Sequence, residues 1–268
     1  GKISTVENSL LKRNAALNNT ATMGNFLNNH DDDTLQELLV KKSGLSEEEA
    51  YNLMKVAATL QITAKGQPVI YYGDELGQAG ANDWPYQTNR RDFDWTELEA
   101  QKTNSNSIYN HYKTMLSIRN AYTDVFARGS RTSILSSDED GYDVIARSYG
   151  DTTLYVGMNI NKKATEVTIP VSAEAGSKME NLYDGNEYTV SADKTVTVSI
   201  PAAKDGGTVI LTKVKKTVDP TPADPGKKDP TPTPAKKDGV ISVTDKAAIE
   251  TKKAAPKSGD DNEAATYV

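Results

Sequence analysis

Cysteine is absent from the 268 residues, which excludes disulfides, thiolate metal sites and a cysteine nucleophile. Positive charge is scarce as well: 31 Lys and Arg against 37 Asp and Glu give a formal net charge of -6, so nothing in the composition favours a nucleic-acid partner. Long apolar runs are also missing, and none approaches the roughly 20 residues that a membrane helix needs. We therefore expect no nucleic-acid binding and no membrane span in this chain.

A dense polar cluster directly follows a short apolar run near the start of the chain. Residues 23–27 predict a strand, and Asn29, His30 and Asp31 follow its end. In parallel βα proteins, the side chains at the carboxyl end of a strand face a ligand. A carboxylate accepts hydrogen bonds from sugar hydroxyls, and a neutral imidazole donates or accepts them. The cluster is therefore a candidate site for a polyhydroxylated ligand.

The same residues have a purely structural alternative. A His-Asp pair often lies in an ordinary turn, and Asp32 or Asp33 would suit the N-cap of the short helix predicted over 34–42. The short motif alone does not decide between these interpretations.

A strong helix signal follows the cluster. Ser46 and Glu49 form a capping box, and the apolar residues behind them recur at helical spacing. The pattern predicts a helix over 47–65, with Gly66 as its C-cap. A second amphipathic helix is predicted over 105–121.

A second short strand, predicted over 68–72, also ends in carboxylates, those of Asp74 and Glu75. The order strand, helix, strand, with a long crossover, predicts that the two strands are parallel. Carboxylates at such a strand end commonly accept hydrogen bonds from loop N–H groups, so we expect Asp74 and Glu75 to be structural.

After Gly129 the apolar period changes from helical to alternating. The segments with strand character are 142–147, 154–158, 166–169, 188–190, 196–200 and 209–211. Turn formers separate them, and the spacing predicts an antiparallel sandwich. Residues 215–238 then form a Pro/Thr-rich linker, and residues 239–268 have the polar composition of a disordered tail.

In this order the segments resemble the C-terminal part of the alpha-amylase family, glycoside hydrolase family 13. Residues 26–31 are similar to the motif after barrel strand seven, residues 66–77 to strand eight and its loop, and residues 90–95 to the Arg-containing loop before the last barrel helix. Residues 130–214 resemble the family's C-terminal sandwich domain.

The resemblance implies an α/β plus all-β fold. A (β/α)8 barrel needs eight strands and about 250 residues, whereas two barrel strands are visible. We therefore expect a fragment: a partial (β/α)8 barrel, with its last two strands and helices, in 1–128, and an antiparallel β-sandwich in 129–214. The linker over 215–238 and the disordered tail over 239–268 complete the expected organisation.

The resemblance also implies an enzyme, a retaining glycosidase acting on α-glucosidic bonds of starch-like glucans. Asp31 matches the catalytic carboxylate that stabilises the cation-like sugar, and His30 matches a substrate-binding histidine that bonds hydroxyls of the same sugar. Arg90 matches a residue that contacts a neighbouring sugar, although a solvated charge is an equal alternative for it. The nucleophile and the general acid that such chemistry requires are not found. The nearest Arg-x-Asp pattern, ending at Asp92, lies beyond the last strand.

The remaining expectations concern cofactors, location and a rival function. We expect no cofactor in this fragment, because the calcium that is common in the family is held mainly by residues outside this stretch. The Pro/Thr linker and residues 255–259, which loosely resemble a cell-wall sorting signal, favour an extracellular or cell-surface location in a bacterium, with attachment through the tail. The rival function is a non-catalytic carbohydrate-binding or surface-display module, which an exposed aromatic platform on the sandwich would favour.

Overall fold

The computed structural model describes residues 2–17 and 23–214. The linker and tail predicted over 215–268 lie outside the described residues. The helices are α1 (Ile3–Ala16), α2 (Leu35–Ser43), α3 (Glu47–Thr63), α4 (Trp95–Thr103), α5 (Ile108–Ala121) and α6 (Thr123–Arg128). The strands are β1 (Gly24–Asn25), β2 (Gln67–Pro68), β3 (Ser130–Ser137), β4 (Tyr142–Tyr149), β5 (Thr152–Asn159), β6 (Thr165–Pro170), β7 (Lys178–Asn181), β8 (Glu187–Thr189), β9 (Thr195–Ile200) and β10 (Thr208–Lys213). None of these helices is both long enough and apolar enough to span a bilayer.

Strands β1 and β2 are parallel, as predicted from the order strand, helix, strand. The predicted lengths over 23–27 and 68–72 are wrong, because each strand has only two residues. The ladder stops after the Val69 N–H donates to Asn25 O at 2.8 Å. The Val69 carbonyl then accepts from the side-chain amide of Gln61 at 2.9 Å, and Asn25 O accepts from the same amide at 3.0 Å. A side chain thus replaces strand pairing at the end of this ladder.

Helix α3 begins as its capping box predicts. The Glu49 N–H donates to Ser46 Oγ at 3.2 Å, and the Ser46 N–H donates to the Glu49 carboxylate at 2.9 Å. The predicted C-cap at Gly66 is wrong, because the helix ends at Thr63 and Ala64 is already extended. Gly66 has a φ of 107°, and a Cβ there would lie 2.4 Å from the carbonyl oxygen of Met23. Glycine is therefore needed for the close approach of the two strands.

Three arginines hold the carbonyl groups at the end of α3. Arg119 donates to the carbonyls of residues 62, 64 and 66, Arg147 to that of residue 63, and Arg13 to that of residue 65. Burial is the main cause that lowers the pKa of all three guanidinium groups, that of Arg147 to about 9. Positive charge at a helix C-terminus is favourable, because the unpaired carbonyls carry partial negative charge. The arginines come from α1, α5 and β4, so they join these elements to the chain that enters β2.

Two short helices do not follow from the apolar pattern. Helix α5 corresponds to the prediction over 105–121, whereas α4 and α6 lie in segments without helical apolar spacing. Helix α4 begins where Asp94 accepts from the Glu97 N–H at 2.9 Å. Its buried residue is polar: the Gln101 amide donates to the Leu76 carbonyl at 2.8 Å. A hydrogen-bonded glutamine thus docks the helix where an apolar side chain would be expected.

The all-β region forms an antiparallel sandwich, as predicted. A six-stranded sheet has the order β3-β4-β5-β10-β7-β8, and the β6–β9 pair forms the second layer. Strands β3 and β7 were not predicted, because β3 is rich in serine and β7 has four residues with two charges. The large sheet is buried on both faces: one packs against α3 and α5, and the other packs against the β6–β9 pair. Nearly all residues of the central strands β4, β5 and β10 are therefore buried or half-buried.

Candidate active site

The structure brings together the three residues that the sequence singles out, in the segments that follow β1 and β2. One carboxylate oxygen of Asp31, Oδ1, lies 3.2 Å from His30 Nε2 and 3.5 Å from Arg90 Nη2. Arg90 Nε also donates to the His30 carbonyl at 2.9 Å. The side chains of His30 and Asp31 are 61% and 71% exposed, so a ligand can reach both. These contacts define the candidate site, and the roles assigned to the three residues stay predictions.

A local turn orients Asp31. The side-chain oxygen of Asn29 accepts from the N–H groups of Asp31 at 2.6 Å and Asp32 at 3.0 Å, as in an Asx-turn. Its amide nitrogen donates to the Asp32 carboxylate at 2.8 Å. Asn29 thus folds the chain back immediately after β1 and directs Asp31 outwards.

Neither Asp32 nor Asp33 caps helix α2, so that part of the structural alternative is wrong. The first helical N–H, that of Leu35, donates to the Asn28 side-chain oxygen at 2.6 Å. Asp33 instead accepts from the Asn82 N–H at 2.7 Å, a hydrogen bond that lowers the pKa of this carboxyl. Asn28, which the sequence pattern did not indicate as a site residue, therefore accepts the hydrogen bond at the start of helix α2.

Asn28 also joins the ends of the two parallel strands. Its amide nitrogen donates to Asp74 Oδ1 at 2.5 Å, and Asp74 Oδ2 accepts from the Tyr71 N–H at 3.2 Å. Burial raises the pKa of Asp74 to about 6. The Glu75 carboxylate accepts from the Gly73 N–H at 2.9 Å. Both carboxylates thus serve loop N–H groups, as expected, and neither points to chemistry.

In residues 2–17 and 23–214, no group of three or more His, Asp or Glu side chains is placed to hold a metal ion.

With this geometry in place, comparison with known proteins gives a consistent result. Residues 2–94 match the family model "Alpha amylase, catalytic domain". The cyclomaltodextrinase of Geobacillus thermopakistaniensis (strain MAS1) is 31% identical over 148 residues, which is 55% of this chain and 24% of that protein. An amylopullulanase of Thermoanaerobacterium saccharolyticum is 31% identical over 160 residues, which is 56% of this chain and 12% of that protein. The chain thus spans about a quarter or less of the length of these relatives.

Solved structures show the same fold. An Anoxybacillus alpha-amylase aligns with a TM-score of 0.62 at 20% identity, over 81% of this chain and 43% of that chain. The alpha-amylase of Geobacillus thermoleovorans, complexed with acarbose, gives a TM-score of 0.65 at 19% identity, over 81% and 44%. The described residues therefore have the fold of the last barrel units and the sandwich of such enzymes. Residues 2–94 thus resemble the catalytic domain of the alpha-amylase family.

Proposed function

We propose that this chain carries the sugar-stabilising part of the active site of a retaining α-glucan hydrolase. Asp31 would stabilise the cation-like sugar, His30 would bond its hydroxyls, and Arg90 would reach a neighbouring sugar. The observation that carries the proposal is the contact of all three in the segments that follow two parallel strands, with Asp31 Oδ1 3.2 Å from His30 and 3.5 Å from Arg90.

The contacts around Asp31 leave part of its carboxylate available. Both His30 and Arg90 contact Oδ1, and no residue of the described ranges donates a hydrogen bond to Oδ2. A sugar hydroxyl can therefore donate to Oδ2 while the cationic partner fixes the carboxylate. Hydrogen bonds to charged groups contribute about 1.5–3 kcal/mol each. Those that strengthen as positive charge develops on the sugar lower the barrier.

The substrate class follows from the relatives. Those with matching sequences are named cyclomaltodextrinase, amylopullulanase and alpha-amylase. We infer that the whole protein acts on starch-like α-glucans. Retaining hydrolysis also needs a nucleophile and a general acid, and the motifs that carry them are not found in the sequence. We therefore propose that this chain by itself does not hydrolyse glucans and that the whole protein would supply those two carboxylates.

The rival function, a non-catalytic binding or display module, has little structural support. Within residues 130–213, all of which the structure describes, Tyr149 is the only exposed large aromatic side chain, at 43%. A sugar-binding platform needs aromatic faces that act together. The other tyrosines of this region are buried or half-buried.

We also propose an extracellular or cell-surface location in a bacterium, with cell-wall attachment through the tail. The support is the composition of residues 215–268 alone. Release of the protein from cells by a cell-wall hydrolase, but not by salt, would support attachment. Recovery in the cytosolic fraction would contradict it.

Sugar binding is tested by NMR of the histidine rings, because the sequence has only two histidines. His30 is exposed, whereas His111 is 2% exposed. Maltotriose should shift the Cε1–Hε1 signal of His30 and leave that of His111 in place. Cellotriose, with β-linkages, is the matched sugar control, and His30→Gln assigns the signal. Equal shifts with both sugars, or none with maltotriose, would contradict the proposal.

Hydrolysis is tested separately on starch, pullulan and maltotriose. We expect no reducing sugar to be released by the chain. Turnover that Asp31→Asn does not lower would overturn the role assigned to Asp31.

A further inference from the structure

We propose that Asn89 is a positioning residue, which sets the orientation of His30 and Asp31 by holding the main chain on both sides of Asp31. The inference rests on the proposed function of that pair. Asn89 lies in the 3-10 turn Thr88–Arg90, one residue before the arginine that contacts Asp31.

The Asn89 amide nitrogen makes two long-range hydrogen bonds. It donates to the His30 carbonyl at 3.0 Å and to the Asp32 carbonyl at 2.9 Å. These two carbonyls flank Asp31, so both hydrogens of a single NH2 group fix the backbone from which its carboxylate projects. The Asn89 Oδ1 atom is buried and has no hydrogen-bond partner among the described residues. The donor atom alone therefore holds this side chain.

The turn that carries Asn89 is itself held in place. The Asn89 N–H donates to the Ala81 carbonyl at 3.1 Å, and its carbonyl accepts from the Tyr71 hydroxyl at 3.2 Å. Asn89 is 5% exposed. The segment after β2 thus holds Asn89 in place, and Asn89 in turn holds the main chain of the segment after β1.

A second donor acts on the peptide between these two bonds. The Asn82 amide nitrogen donates to the Asp31 carbonyl at 2.5 Å. Three consecutive carbonyls, of residues 30, 31 and 32, therefore accept from the loop over 82–90. Asn82 is exposed, so its bond competes with water and we expect a smaller contribution from it.

The residue type is specific for this task. Aspartate has the same shape but no donor, so it would place a carboxylate oxygen against two carbonyl oxygens. Glutamine is longer by one methylene, and its amide would not meet both carbonyls at these distances. Asn89→Asp therefore removes the two hydrogen bonds with little change in volume.

The chain offers a matched control in Asn110 of helix α5. Its amide nitrogen also donates to main-chain carbonyls, those of Gln101 at 3.0 Å, Lys102 at 3.3 Å and Asn104 at 2.8 Å. None of these belongs to the candidate site. Asn110→Asp thus makes the same chemical change in a position that serves structure only.

The experiment compares the full chain with N89D and N110D by histidine NMR at one pH, by maltotriose titration and by thermal unfolding. We expect N89D to shift the His30 signal without ligand and to weaken maltotriose binding about tenfold, which is 1.4 kcal/mol. N110D should lower Tm and leave both readouts unchanged. An N89D chain with the wild-type His30 signal and affinity would overturn the proposal.

A second variant and the ligand-free signal separate a folding defect from a loss of positioning. If N89D does not fold, Asn89→Ala removes both amide hydrogen bonds without placing a carboxylate against the carbonyls, and it should shift the His30 signal in the absence of ligand. No shift in that variant would count against the proposal. If the unchanged chain does not respond to maltotriose, the proposed function fails. The ligand-free His30 signal of N89D still decides whether Asn89 positions the pair.

Discussion

Strands β1 and β2 pair over two residues, whereas β4 and β5 pair over eight. In the first pair, the neighbouring apolar side chains of Phe26 and Val69 are 57% and 49% exposed. In the second, Ile145, Leu154 and Val156 are completely buried. The candidate site thus lies on the strand system that has the fewest ladder bonds and the least apolar cover.

The difference shows two ways of fixing a strand. The large sheet is held by continuous backbone ladders and by apolar packing on both faces. The short pair is held by polar side chains: Gln61 bonds its carbonyls, Asn28 bonds the segment that follows β2, and three arginines hold the chain that enters it. Single polar substitutions should therefore disturb the site region, and apolar truncations should disturb the sheet.

The largest effect should come from Arg147, which serves both regions. Its guanidinium donates to the carbonyls of residues 63, 125, 126, 129 and 130. Arg147→Met leaves these carbonyls without their donor and should cost about 4 kcal/mol of unfolding free energy, measured by urea denaturation. Arg128→Met, at an exposed arginine paired with Asp124, is the control and should cost less than about 0.5 kcal/mol. Equal losses would contradict the role of Arg147.

Apolar truncation should affect the two strand systems unequally. Ile145→Ala should cost about 3 kcal/mol, because the side chain is fully buried and leaves a cavity. Val69→Ala, at a half-exposed residue beside β2, should cost under about 1 kcal/mol. Both values come from urea unfolding at one pH. A larger loss for Val69 would mean that apolar packing holds the short pair as well.

Acid should weaken the contact between helices and sheet. His111 lies 3.0 Å from Thr59 Oγ1 and 2.6 Å from the Tyr183 hydroxyl, and burial lowers its pKa to about 3. Because the unfolded imidazole has an ordinary pKa near 6.5, the unfolded state binds the proton first as pH falls. Unfolding free energy should then decrease between pH 6.5 and 3, by up to about 1.4 kcal/mol per pH unit.

His111→Gln isolates this contribution. The variant should have a flatter dependence of unfolding free energy on pH between 6.5 and 4, measured by urea denaturation in matched buffers. An unchanged slope would show that groups other than His111 control acid stability. The buried Asp74 is not such a group, because its raised pKa makes the folded state bind the proton first as pH falls.

The smallest effect on stability is expected at the site itself. Asp31 is exposed, so Asp31→Asn should change unfolding free energy by less than about 0.5 kcal/mol. The same variant should reduce the maltotriose-induced shift of the His30 signal. A large loss of stability would assign Asp31 a structural role.

Local pattern was sufficient for part of this structure. The capping box of Ser46 and Glu49 and the alternation in β6 and β9 depend on neighbours in sequence, so they are visible in it. The motif around His30 and Asp31 is also local, so the sequence alone indicates the candidate pair. The order strand, helix, strand predicted that β1 and β2 are parallel, and they are.

The features that the sequence did not predict depend on residues that are far apart in the chain. Asn89 bonds carbonyls 57 and 59 positions earlier, and no local pattern reports such a contact. Glu7 is 4% exposed in a weakly amphipathic helix, because it pairs with the buried Arg131 124 positions away. Strand β3 carries polar residues on a sheet edge, so its alternation is weak. These features were set by tertiary hydrogen bonding rather than by hydrophobic period.

The two-faced burial of the large sheet limits how the all-β part of this chain could be replaced by that of a relative. Joining the all-β part of one relative to the barrel of another at Gly129 would preserve the covalent order of the segments. It would also set a foreign surface against α3 and α5, because Ile145, Leu154 and Val156 belong to the same apolar cluster as Met54 and Ile108. A working chimera would have to carry over the helix residues together with the strands that they cover.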